Sequence, residues 1–133
     1  MVWIETPSNP LLKIIDLEAI AKIAREKKII SVSDNTFATP WIQRPIEAGF
    51  DMVVNATPLG MNADDPLPMD VERIAPGTFV GEVVMKSETT AFLAAAQARG
   101  CRVQVGTDML FEMIPAYLEF FGYPTTTAEN LRA

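Results

Sequence analysis

The sequence predicts an α/β fold built on a five-stranded parallel sheet, and three observations predict it. Short apolar runs rich in β-branched residues recur along the chain, helical patterns separate them, and several of the runs are apolar on both faces. Alternation of this kind argues for βαβ units, and two-sided apolarity for central strands of a parallel sheet. With 133 residues, 49% of them hydrophobic and 21% charged, the chain has the material for one globular domain spanning 1–133.

The strands are read as VWIE (2–5), IISVSD (29–34), MVVNA (52–56), TFVGEVV (78–84) and RVQVG (102–106). Between the first two lies a helix at about 16–28, capped by Asp16, with Leu17, Ile20, Ala21 and Ala24 on its apolar face. A short helix near 43–48 stops at Gly49, and another segment, about 70–75, stops at Pro76-Gly77. The helix at 88–99 has Ser87 as its expected cap and Gly100 just past its end. The last helix, 108–121, is unusual: Met109, Leu110, Met113, Ile114, Tyr117, Leu118 and Phe121 share a face that Phe111 and Phe120 widen. Pro115 is expected to bend it, and so apolar a helix needs cover from more than one side. The tail adds at most one short polar helix.

Composition removes several classes of function. The chain has no histidine, hence neither the commonest general base near neutral pH nor the commonest zinc ligand. Cys101 is the only cysteine, so no internal disulfide forms and a reducing cytosol suits the chain. It reads as a buried or half-buried structural thiol. Residues 1–50 carry six basic and six acidic side chains, and residues 51–133 carry five and eleven, so the net charge of −6 lies in the second part. No basic stripe suits nucleic acid, and no apolar run spans a membrane. Asp64 and Asp65 lie in a Pro-rich loop without the further spaced oxygen ligands that a cation cage needs, so no metal is expected.

Two stretches carry more specific signals. The segment 2–50, with ETPSNP at 5–10 and SDNTFATPWIQRP at 33–45, resembles the cystathionine γ-synthase/methionine γ-lyase family of PLP enzymes. The resemblance implies that Asp34 pairs with the pyridine nitrogen of PLP and that Asn9 lies beside the ring's phenolic oxygen. A carboxylate in that place makes the ring a better electron sink. The family's Schiff-base lysine follows the next strand in a Ser-x-Thr-Lys turn, where this chain reads NATPLGM. Lys86, one strand later, is the one conceivable substitute. The family's Gly-rich phosphate-binding segment would precede residue 1, and the chain is expected to lack it.

The segment 51–133, with NATPLGM at 55–61 and GTDML at 106–110, resembles the C-terminal part of shikimate/quinate dehydrogenases. That resemblance implies that Asn55, Ala56 and Thr57 line the nicotinamide end of a dinucleotide site, with Gly106 and Met109 beside the ring. No GxGxx(G/A) turn is present to seat a pyrophosphate on a helix N-terminus, and the substrate domain with its catalytic Lys and Asp is expected to be absent.

The two resemblances meet at about 49–55, inside one strand. The expectation is therefore an engineered chimera with no cofactor and no catalytic activity, whose seven site-like positions are vestigial. Weak binding of NADP or PLP, an NADP-dependent shikimate/quinate dehydrogenase fragment, and a natural relic are the other readings. In both parent families the borrowed strands lie side by side in chain order. The expected sheet is thus Rossmann-like or flavodoxin-like, ordered 1-2-3-4-5, with right-handed crossovers placing the connecting helices on one face. The opposite face must be covered, either by the last helix folding back or by self-association through that face or through the 108–121 helix.

Overall fold

All five expected strands form, each trimmed at its ends or matching its expected length. The computed structural model describes the whole chain, Met1–Ala133. In order come β1 (Val2–Glu5), α1 (Leu17–Lys27), β2 (Ser31–Asp34), α2 (Thr39–Ile42), α3 (Pro45–Ala48) and β3 (Met52–Asn55). A 3-10 turn (Val71–Arg73), β4 (Phe79–Glu82), α4 (Ala91–Ala98), β5 (Arg102–Gln104), α5 (Gly106–Phe120) and α6 (Ala128–Arg132) follow. Every strand pair is parallel. No helix is long and apolar enough to cross a membrane.

The single five-stranded sheet does not form. β1 and β2 make a two-stranded sheet, and β3-β4-β5 make a separate three-stranded one. The cause lies in the phase of the backbone. Odd-numbered residues of β3 turn their polar groups toward β4, since the Asn55 carbonyl accepts the Val83 amide at 3.1 Å. The odd residues of β2 face β3, because the even ones serve β1, as the Val2 amide on the Ile30 carbonyl shows. One rung crosses the gap, from the Asp51 amide to the Ser31 carbonyl at 3.2 Å. Extending it would need the amides of Val53 and Asn55, which β4 already holds. The Asp51 carboxylate closes off the strand start instead, accepting both the Ser31 amide and its hydroxyl at 2.7 Å. Beyond that clamp the strands diverge around a cleft of about 520 Å³ walled by α2, α3 and residues 68–73.

The helices follow their local chemistry. Asp16 caps α1 by accepting the Ala19 amide at 3.0 Å. Gly49 ends α3 at φ +102°, where an added Cβ would meet the Arg25 guanidinium. The cap of α4 is Thr90, not Ser87: its hydroxyl accepts the Leu93 amide, and the helix begins three residues later than the sequence suggests. The expected 43–48 helix forms as α3, opened by Pro45 at a position where no helical donor is needed, and α2 before it was not expected. α5 starts at Gly106 and continues through Pro115.

Burial is concentrated in the second sheet. Ile74, Val80, Phe92, Leu93, Ala96 and Cys101 form one buried cluster between α4 and β3-β5, with Val53, Met69, Val71, Val103 and Val105 against it. Cys101 is buried as a structural thiol there, its Sγ 3.6 Å from the Ala75 carbonyl. The first sheet keeps only scattered buried side chains, such as Ala21, Ala24 and Val32. α5 does not fold back over a sheet; its main contact is with α6.

Leu93→Ala should lose about 2–5 kcal/mol in urea unfolding, whereas Trp41→Ala, at a side chain 87% exposed, should stay within about 0.5 kcal/mol. At Gly106 an added Cβ would lie 2.1 Å from the Val84 carbonyl oxygen. Gly106→Ala should therefore cost about 1–3 kcal/mol through forced backbone displacement, read as a lower urea midpoint.

Candidate functional site

Ligands of open α/β sheets bind beyond the carboxyl ends of the strands. Here those ends form two separate clusters, one per sheet.

At the end of the first sheet, Glu5 and Asp34 are direct backbone partners in register. Both are engaged locally. Glu5 Oε2 accepts the Asn9 amide at 2.9 Å, and Asp34 Oδ1 accepts the Thr36 amide at 3.0 Å. Asn9 itself is exposed. Asn35 and Gln43 form a reciprocal amide clip: Asn35 Nδ2 donates to the Gln43 carbonyl, and Gln43 Nε2 donates to Asn35 Oδ1, both at 2.8 Å. Gln43 Nε2 also reaches the Thr6 carbonyl at 2.9 Å. Gln43 was not singled out by sequence, although its place in the SDNTFATPWIQRP motif was the available signal.

At the end of the second sheet, Asn55, Ala56 and Thr57 form a turn that satisfies itself. Asn55 Oδ1 accepts both the Thr57 amide (3.1 Å) and its hydroxyl (2.7 Å), while Asn55 Nδ2 donates to the Leu59 carbonyl at 2.9 Å. Thr57 Oγ1 accepts the Leu59 amide. Behind the turn stands Glu82, 4% exposed, with Oε2 3.4 Å from Asn55 Nδ2 and Oε1 without a partner. Sequence reading missed Glu82, because a strand of alternating apolar residues gives no sign that its one acid points inward. Gly106 is pressed against the Val84 carbonyl at the end of β4, and Met109 is exposed on α5. The site-like positions therefore stay divided, with Asn9 and Asp34 on one sheet end and Asn55, Ala56, Thr57 and Gly106 on the other.

These residues do not fit PLP as a covalent cofactor. No lysine stands at the end of β3, and Lys86 donates to Asn62 Oδ1 at 3.2 Å beside the 60–68 loop. Nor do they fit a dinucleotide well. Both ends of the Asn55 amide are engaged within the turn, and the backbone of Val83 and Val84, just past β4, lies against Gly106. Asp65 is a loop staple, accepting the amides of Gly60 and Asn62 at 3.0 and 2.9 Å. These bonds, the Asn62 amide first, hold its carboxyl below the usual aspartate range. No three acidic or Cys side chains converge as a metal group.

The charged wall of the inter-sheet cleft is internally paired. Arg73 bridges Glu47 at 2.6 Å and Asp70 at 3.4 Å, and Arg44 adds a longer contact to Glu47. The Arg73 hydrogen bond, opposed in part by desolvation and aided by Arg44, lowers the Glu47 carboxyl below the ordinary glutamate range.

Comparison with known proteins finds different relatives by sequence and by structure. The family described as "Cys/Met metabolism PLP-dependent enzyme" matches residues 1–58, through β3 and into the turn after it. A cystathionine beta-lyase of Coxiella burnetii is 61% identical over 62 residues, covering 47% of this chain and 16% of that protein. The chain thus spans under a fifth of that relative's length. Among solved structures, a quinate dehydrogenase from Corynebacterium glutamicum in complex with NAD has a TM-score of 0.55 at 29% identity. That likeness covers 87% of this chain and 40% of the dehydrogenase. A 5-ketofructose reductase of Gluconobacter sp. strain CHM43 shares the fold at a TM-score of 0.57 and 19% identity, covering 96% of this chain and 52% of that one. The N-terminal segment is thus PLP-enzyme-like in sequence, and the Rossmann-like fold is shared with dehydrogenases.

The lowered Glu47 carboxyl has a testable sign. A depressed folded-state pKa gives stability that is present above the unfolded glutamate value and lost as pH falls through the folded one. In a carboxyl titration by NMR, Glu47 should titrate below an ordinary exposed glutamate, and Arg73→Gln should return it toward that range.

Proposed function

We propose that this chain is a recombined α/β fold, joining a PLP-enzyme segment to a dehydrogenase segment at the β3 strand, and that it retains neither parental activity. The observation that carries the reading is the turn after β3. The PLP-enzyme resemblance continues into residues 56–58, yet Asn55-Ala56-Thr57-Pro58 stands where the lysine belongs. PLP chemistry of this type needs that amine for its Schiff base. The internal hydrogen bonds of Asn55 and Thr57 support the same conclusion for hydride transfer, since they leave the turn structural. The paired walls of the cleft are consistent with a scaffold role.

A second reading rests on the likeness to a quinate dehydrogenase in complex with NAD. On that reading the turn and α5 keep weak affinity for a nicotinamide dinucleotide without turning substrate over.

Reconstitution separates these readings. Incubation with PLP should give no yellow aldimine band that borohydride bleaches; such a band, traced to Lys86 by peptide mapping, would overturn the proposal. Thermal melts with NAD or NADP should be flat, whereas ligand at 100-fold excess over Kd would stabilise by about 2.7 kcal/mol and favour the second reading. Steady oxidation of shikimate or quinate would refute both.

A further inference from the structure

The gap between the two sheets leaves main-chain groups unused. β3 gives Val53 and Asn55 to β4, so the amides and carbonyls of Met52 and Val54 turn toward β2. β2 gives Val32 and Asp34 to β1, so the amide and carbonyl of Ser33 turn toward β3. No other part of the chain bonds to these groups. Ser33 adds its hydroxyl, whose Oγ is buried and without a partner. All three residues line the cleft of about 520 Å³, a size within the roughly 300–1,000 Å³ of small-molecule sites.

The lining sets the character of an occupant. Ile46, Met52, Met69 and Trp41 supply apolar, polarizable surface suited to a flat ring. Charge gives no net attraction, because Arg44 and Arg73 are matched by Glu47 and Asp70, with which they pair. An ion would disrupt those pairs, and an uncharged molecule leaves them intact. The Met52 carbonyl and the Val54 amide stand two residues apart on one strand edge, an acceptor beside a donor. The group that answers both is an amide edge, one N–H next to one C=O. A peptide strand fits less well. Ser33 is the only gap-facing residue of β2 beyond the clamp, since Asp34 serves β1 and Asn35 is clipped to Gln43. The Asp51–Ser31 contact closes the floor.

We propose that the inter-sheet cleft is a binding site for a small, uncharged, planar cyclic amide or imide. The ring N–H donates to the Met52 carbonyl, and the ring C=O accepts the Val54 amide. Ser33 bonds the opposite edge, and the two methionines cover the faces. Each of these bonds engages a polar group that has no partner within the fold, which is where a ligand gains most over an apolar molecule of the same shape. The Asn55-Ala56-Thr57 turn is not part of this lining. The inference is therefore independent of whether that turn keeps affinity for a dinucleotide.

Uracil is a probe of this chemistry, and its N,N′-dimethyl derivative keeps the ring and carbonyls without the donors. Titrating uracil into the isotope-labelled full chain should shift the NMR amide signals of Val54 and Ser33 saturably. The dimethyl derivative should bind roughly 10-fold more weakly. Val54→Pro deletes the gap-facing donor and should abolish the response. Since proline also restrains the strand, Ser33→Ala serves as a second variant. It removes a hydroxyl with no partner in the fold, so the urea midpoint should hold while Kd rises about 3–10-fold, the worth of one hydrogen bond. No shift up to the solubility limit of uracil would overturn the proposal. So would equal binding of the dimethyl derivative, or shifts centred on Asn55, Ala56 and Thr57 and absent from Ser33.

Discussion

The clamp between Asp51 and Ser31 sets the architecture of this molecule. It is the one place where the two sheets are tied through strand backbone, and it uses a carboxylate where a parallel sheet would use a carbonyl. A parallel ladder requires both strands to present donors and acceptors in matching phase. β3 gives its odd residues to β4, so the rung at Asp51 has no successor. The cleft, the separation of the two strand-end clusters and the exposure of Val54 all follow from that single mismatch.

The division has energetic and chemical consequences. The apolar cluster under α4 belongs wholly to the second sheet, so burial of Phe92, Leu93 and Ile74 stabilises residues 51–133. Each such side chain contributes on the order of 1.5–3 kcal/mol. The first sheet leans on small contacts of α1 and on local caps. A catalytic site at the ends of five adjacent strands would have drawn on both clusters. With the sheets splayed, Asp34 and Asn55 belong to different local networks, each closed by its own turn. Two buried atoms are exceptions, Ser33 Oγ in β2 and Oε1 of Glu82 in β4. Neither has a partner, a local cost that the surrounding packing must offset.

Much of this was legible in the residues, and the failures are instructive. The positions of all five strands, the Asp16 cap and the Gly49 stop follow from period, capping chemistry and the freedom of glycine at positive φ. These are local rules, and they held locally. The sheet order failed because strand pairing depends on backbone phase across a gap, which no hydrophobic pattern records: MVVN reads equally well as a strand with one partner or two. Ser87 lost to Thr90 as a cap because several hydroxyl-bearing residues precede the helix. Only the tertiary position of Phe92 and Leu93 in the core decides where the first turn starts. In the site, the Asn-Ala-Thr-Pro turn was visible as a motif, but its internal hydrogen bonds and the acid behind it were not.

Native-state hydrogen exchange of the purified chain tests the split-sheet architecture. The amides of Ser33, Met52 and Val54, which face the gap between the sheets, should exchange orders of magnitude faster than those of Val80 and Gly81 in the centre of β4. Comparable protection at Ser33, Met52 and Val54 would mean that β2 and β3 pair along their length, and that the Asp51 clamp does not divide the fold.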